Sequence, residues 1–298
     1  MSADVFVAGA TGNLGSKIVA ELVERGATVR ALVRKGKADG GDALRELVAA
    51  GKVDLVVGDL TEAPAVLAEH LKGVHIVVSA VQGDGQVIID GQANLLAAAE
   101  AAGVARMIPS DFSADLHRLD YGDNAFLDMR KIADAAFGQS TVKPTSVLIG
   151  GFMEVMLSPF MGIVDHEHHT FSYWGDGEQP IDLTSIPDAA AYTAAVALDD
   201  TTAGRIVSFA GAVLTINQFH AELERATGSR FDIRQLGTVD DLLEEITRRK
   251  TAASSPFEYV ALQYQWAMVS GKGKLRTLNN NDYPDIVPAT LAQLLSAR

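Results

Sequence analysis

Residues 4–15, DVFVAGATGNLG, constrain the fold of this chain more than any other stretch. The apolar run Val5, Phe6, Val7, Ala8 reads as a buried strand. It meets Gly9, Gly12 and Gly15, and a helical pattern of Ile18, Val19, Leu22 and Val23 begins at once. A strand, a glycine turn and a helix in that order form an anion-binding unit. Backbone N–H groups and the positive end of the helix can approach a pyrophosphate there, and a β-carbon at the glycine positions would hold it off. The spacing is G-x-x-G-x-x-G rather than G-x-G-x-x-G. Thr11 and Asn13 add short polar side chains able to cap the helix or touch phosphate oxygens, with Leu14 between them and Gly15. Dinucleotide binding is the expectation for Gly9, Thr11, Gly12, Asn13, Leu14 and Gly15.

The stretches that follow repeat the same rhythm. Strands are expected at Thr28–Val33, Val53–Val57, 74–81, 106–109 and 145–149. Helices are expected between them: one marked by Leu44, Leu47 and Val48, one from Pro64 to Leu71, a long one over 86–102 and one over 128–137. Strands alternating with helices across short loops indicate right-handed parallel crossovers. The fold class is therefore α/β, a doubly wound parallel sheet of the Rossmann kind. Past Gly150 the rhythm breaks into a Met- and Phe-rich run and an irregular stretch, DHEHHTFSYWGDGEQ. Further helices are expected over 188–197, after Thr215, after Thr238 and from Pro288; Asp241 stands where a capping box would place it. The domain expectation is 1–150 for nucleotide binding and 151–298 for a smaller substrate lobe, with some segments returning to the sheet.

Composition narrows the partners. A formal net charge of -13 over 298 residues argues against nucleic acid or an anionic membrane surface. Zero cysteines rule out disulfides, thiolate metal sites and cysteine nucleophiles. A strand begins within four residues of the first methionine, and no apolar run reaches about 18 residues, so a cytoplasmic location is the expectation.

The end of the second strand selects the cofactor. A carboxylate there would bond the ribose hydroxyls of NAD. This strand ends instead in Arg34 and Lys35, two cations suited to a 2′-phosphate, so NADP(H) is expected. Asp59, beyond the third strand, can accept from an adenine amine or simply form a turn. Ala80, Val81 and Gln82, at the carboxyl end of the fourth strand, fall beside the adenosine ribose. No Tyr stands four residues before a Lys, which excludes the commonest short-chain dehydrogenase proton donor. Lys131, in FLDMRKIADAAF, is the remaining candidate: a surface charge on its own, or a proton-transfer group if partly desolvated. Phe126, Met129, Ala133, Ala136 and Phe137 are expected to pack its helix onto the core. The cluster Asp165, His166, Glu167, His168, His169 fails the H-E-x-x-H pattern because Thr170 replaces the second histidine, so no metal is expected. Phe112, Phe152, Met153, Met156, Phe160 and Trp174 suit either core or the apolar walls of a pocket.

GATGNLG, LVRK, GDL and GQANLLAAAEAAGVARMIPSDFS, with YWGDGEQPIDLTSIPDAAAYTAAVALDD and NNNDYPDI later, form an ordered set over nearly the whole chain. By these residues the chain resembles the NmrA-like, isoflavone reductase-like branch of atypical short-chain dehydrogenases. The resemblance implies an NADPH-dependent reductase of a small aromatic or phenolic compound, with hydride passing to a carbonyl or benzylic carbon. It also implies that Lys131, on the helix after P-S-D-F, is the general base and holds the ribose. Phe112, Phe152, Met153 and Met156 would then wall the substrate cleft. Ser113 replaces the family's usual glycine, and the acidic loop 115–124 is unlike the plant enzymes, so the substrate does not carry over. Competing readings are a redox sensor that binds NADP(H) and a protein partner without chemistry, and a quinone reductase. The oligomeric state stays open between monomer and homodimer.

Overall fold

The computed structural model describes residues 4–37 and 40–296. The chain divides into two compact units that interleave in sequence. The first comprises Met1–Asp111, Met129–Val147 and Ala189–Val207, and the second Phe112–Asp128, Leu148–Asp188 and Ser208–Arg298.

The first unit is built on β1 (Asp4–Ala8), α1 (Asn13–Glu24), β2 (Thr28–Val33), α2 (Gly41–Ala49), β3 (Val53–Val57), α3 (Pro64–His70), β4 (Ile76–Ser79), α4 (Gln92–Ala101), β5 (Arg106–Ile108), the second half of α5 (Ala125–Asp134) and β6 (Lys143–Pro144). All six strands are parallel, in the order β3-β2-β1-β4-β5-β6. The order reverses between β1 and β4. A doubly wound sheet offers its ligand crevice outside the carboxyl ends of the strands at such a reversal. In β1, Val5, Phe6, Val7 and Ala8 are all buried, which is why the strand reads as an unbroken apolar run rather than an alternating one. On one face Phe6, Ala8 and Val77 pack with Leu67, Leu71, Leu95, Leu96, Met107 and Val142.

Four expectations are corrected here. The sixth strand of the sheet is β6, next to β5; the expected strand at 145–149 is realised as β7 (Ser146–Leu148), which pairs with Ile206–Ser208 in a separate two-stranded sheet. The helix expected over 86–102 opens with a π-helical turn, Gln86–Gly91, before α4. Such turns widen a helix and recur at functional sites. The helix expected over 128–137 starts three residues earlier at Ala125, because Asn124 Oδ1 accepts from Phe126 and Leu127 N–H, each at 3.0 Å. Its end tightens into a 3-10 turn, Ala135–Gln139. Ala133 and Phe137 pack inward as expected, whereas Ala136 is exposed.

The second unit holds two small sheets, Asp232–Gly237/Thr170–Trp174/Val164–Asp165 and Ala212–Leu214/Ile181–Thr184/Gly151–Phe152. Its core includes Met153, Met156, Phe171, Leu183, Phe219 and Leu223. The helices Ile216–Thr227 and Val239–Ala252 carry capping boxes at Thr215/Gln218 and Thr238/Asp241. The last helix is Leu291–Ser296, later than the start expected at Pro288. Among the described residues no helix is long and apolar enough to cross a membrane.

Candidate active site

The glycine turn is closed by its own packing. Gly9 has φ +78°, a left-handed conformation that side chains avoid, and a β-carbon there would come 2.4 Å from Ala80 O. A β-carbon on Gly15 would come 2.2 Å from Gly9 O. Gly12 N donates to Gly9 O at 2.9 Å, and the first intrahelical bond runs from Ser16 N to Gly12 O at 3.0 Å. The N–H groups of Asn13, Leu14 and Gly15 therefore precede the helical ladder, and no side chain caps them. The capping role expected of Thr11 and Asn13 is not realised. Gly12 is the N-cap, and Asn13 Oδ1 accepts from Lys17 Nζ at 3.3 Å instead. A bare helix start beside a glycine turn is an anion cradle.

The neighbouring strand ends converge on the same edge. β1 and β2 run in register with Val7 opposite Ala31, so Arg34 and Lys35 follow at the carboxyl end of β2, both exposed. Ala8 pairs with Ser79, which brings Ala80, Val81 and Gln82 next to the glycine turn. Asp59 forms a turn: its Oδ1 accepts from Thr61 N at 3.0 Å and Thr61 Oγ1 at 2.8 Å. These two bonds, backbone first, hold its carboxyl below the usual range, and the Arg34 guanidinium adds to the effect.

Lys131 lies half-buried on α5. The same unit holds a set of polar groups that the sequence did not single out. Ser110 Oγ donates to Val81 O at 2.7 Å, and Ser110 N donates to Gln92 Oε1 at 2.9 Å. Asp111 Oδ2 accepts from Ser146 Oγ at 2.6 Å. The one sequence signal for this set is the P-S-D motif after β5.

In the second unit, Met153 and Met156 are core residues, Phe112 is buried, and Phe152 is half-buried at the N-cap of Met153–Met156. Phe160 is exposed. Of the histidine cluster, His168 Nδ1 lies 2.9 Å from Asp165 Oδ2, while the rings of His166 and His169 pack against Phe231. Among the described residues no group of three His, Asp or Glu could hold a metal ion.

The family model described as the NmrA-like family matches residues 1–273. The chain belongs to the NmrA-like family. Among relatives of this NmrA-like protein, the photosystem II assembly factor Ycf39 of Synechocystis is 27% identical over 205 residues, covering 65% of this chain and 59% of the relative. The bifunctional pinoresinol-lariciresinol reductase of Linum usitatissimum is 26% identical over 250 residues, covering 80% and 79%. The chain thus spans well under two thirds of the length of Ycf39, and 41% of an oxidoreductase swnN from Arthroderma benhamiae. In fold the NmrA-like protein matches AtPrR2 with NADP+ and (+)pinoresinol, with a TM-score of 0.84 and 21% identity over 100% of this chain and 99% of the other. It likewise matches the leucoanthocyanidin reductase of Vitis vinifera bound to NADPH, with a TM-score of 0.82 and 20% identity over 99% of both chains.

Proposed function

We propose that this NmrA-like protein is an NADPH-dependent reductase of a small aromatic or phenolic compound. The observation that carries the reading is the uncapped start of α1, framed by Gly9, Gly12 and Gly15 and bordered by Arg34 and Lys35. A β-carbon at Gly9 or Gly15 would meet backbone within 2.4 Å, so the turn keeps its N–H groups open to a pyrophosphate. The residues fit the dinucleotide. Asn13, Leu14 and Gly15 N–H groups would hold the pyrophosphate, and Arg34 with Lys35 the 2′-phosphate. Ala80 to Gln82 would border the ribose. Asp59 retains Oδ2 for the adenine amine while Oδ1 serves its turn. When bound, the nicotinamide supplies the hydride.

The protein's own chemistry then falls to Lys131. Its ammonium donates a proton to the substrate oxygen as charge develops there, and the same group orients the ribose by hydrogen bonding. A general acid placed in this way is needed because a developing alkoxide or phenoxide is a poor product in a dry site. Two relatives are named for reduction of pinoresinol and lariciresinol or solved with pinoresinol, which supports a phenolic substrate class.

The test is loss of nicotinamide absorbance against a panel of aromatic aldehydes, quinones and benzylic ethers, for wild type and Lys131→Ala. Turnover by the wild type that collapses in the variant supports the reductase. A flat trace with every substrate, joined to a protein partner whose affinity differs between NADP+ and NADPH, would establish a redox sensor instead.

A further inference from the structure

Asp111 and Asp134 meet inside the first unit. Asp111 is fully buried, and its Oδ2 accepts from Ser146 Oγ at 2.6 Å. Asp134, in the last turn of α5, lies within hydrogen-bonding reach of the Asp111 carboxyl. Both Asp134 oxygens are shut off from water, and neither receives a bond from an N–H or O–H donor among the described residues. Two desolvated carboxylates repel strongly, and a carboxylate with no donor is costlier still. One proton resolves both problems: a neutral acid can donate where a carboxylate cannot. Burial, followed by the charge of Asp111, pushes Asp134 up to about 9, with Arg130 acting in the opposite direction.

We propose that Asp134 is kept as a neutral acid donating to the Asp111 carboxylate, and that this shared proton is a clip positioning the turn of α5 that carries Lys131. The proposal rests on the reading of Lys131 as the proton-transfer group. Asp111 and Asp134 are positioning residues in it. Lys131 and Asp134 are three apart on one helix, so fixing one fixes the face presented by the other. At the far end, Asp111 follows Ser110, which is tied to Val81 O and to Gln92 Oε1. The clip thus links the lysine's helical turn to the end of β4. A carboxyl pair joined by one proton is short and directional, which an apolar contact is not.

The charged groups acting on Asp134 are Asp111, from the segment after β5, and Arg130, from its own helix; from β7 the Ser146 hydroxyl donates to Asp111. Because the folded-state value is raised, the stability from the protonated form is fully present below the unfolded value of 3.8. It is lost as pH rises toward and through about 9. Asp134→Asn keeps an N–H donor toward Asp111 at every pH and abolishes this dependence.

Three measurements test the clip. Infrared difference spectra of wild type against D134N should show a carboxylic-acid carbonyl band at neutral pH that belongs to Asp134. Between about pH 5 and 9 the Tm of wild type should fall steadily relative to that of D134N. In NADPH oxidation, D134A should lose about tenfold or more in kcat with little change in NADPH affinity, and D134N should recover most of it. No acid band, parallel Tm profiles, or a D134N defect equal to that of D134A would each overturn the proposal. If wild type turns over no substrate, the reductase reading alone fails. Placement of Lys131 is then read by its rate of modification with acetic anhydride, followed by peptide mass spectrometry. A rate altered in D134A and kept in D134N supports the clip, and equal rates in all three proteins refute it.

Discussion

Gly15 lies so close to Gly9 that a β-carbon on Gly15 would sit 2.2 Å from the Gly9 carbonyl oxygen and 2.8 Å from its carbon. The obstacle is backbone, which cannot swing aside as a side chain can. Gly15→Ala should therefore force the turn apart. Overpacking of this kind costs about 1–3 kcal/mol of stability. NADPH affinity should fall with it, since the N–H groups of Asn13 and Leu14 move. Urea unfolding and fluorescence titration of the same variant check the two effects, and unchanged values in both would contradict the role given to the turn.

Arg34 is exposed just past the end of β2, the position proposed to hold the 2′-phosphate that distinguishes the two nicotinamide cofactors. Arg34→Ala is expected to weaken NADPH binding by about 1.5–3 kcal/mol, the range for a hydrogen bond to a charged group, and to leave NADH nearly unchanged. Parallel titrations with both cofactors decide it. Equal losses would remove Arg34 from the 2′-phosphate.

Lys131→Ala should reduce turnover by about 10²–10⁴ while NADPH affinity falls only modestly. Lys131→Arg should not restore the rate, because guanidinium stays protonated near neutral pH and cannot exchange a proton. Stopped-flow measurement separates cofactor binding from the chemical step. Wild-type rates in either variant would exclude proton transfer by this side chain.

Arg106 illustrates a different dependence. It is buried at the start of β5, and its guanidinium donates to Thr202 Oγ1 at 2.8 Å, to Val196 O at 3.3 Å and to the carbonyls of Ala197 and Asp199. The three carbonyls lie at the end of the helix Ile186–Leu198 and just beyond it, where the helical ladder runs out; Val196 O and Asp199 O also accept from Asp199 N and Thr202 N. Arg106→Met fills much of the volume but removes the charged donor from all four of these oxygens. A loss of about 3–5 kcal/mol is expected, as for breaking a buried charged network. The urea midpoint should drop with an unchanged slope, and a shift inside experimental error would show that water replaces the guanidinium.

Much of the local structure is legible in the sequence because its signals are local. β2 and β3 begin and end where their apolar runs do, and α3 starts at Pro64. Thr215 and Thr238 cap their helices through bonds three residues long, and such bonds need nothing but the adjacent chain. The glycine turn and the Arg34–Lys35 edge belong to the same class. Tertiary structure decided the rest. Lys143–Pro144 is a strand only because β5 lies beside it, and a run as short as Ser146–Leu148 takes its partner from Ile206–Ser208 some 60 residues away. Met153 and Met156, better read singly as core, are substrate walls by the resemblance; in the structure they pack with Phe171 and Phe219 in the core of the second unit. Asp111 and Asp134 look like two ordinary surface acids in the sequence. Burial, and the proximity of one carboxyl to the other, are properties of the folded sheet and helix together; no spacing along the chain encodes them.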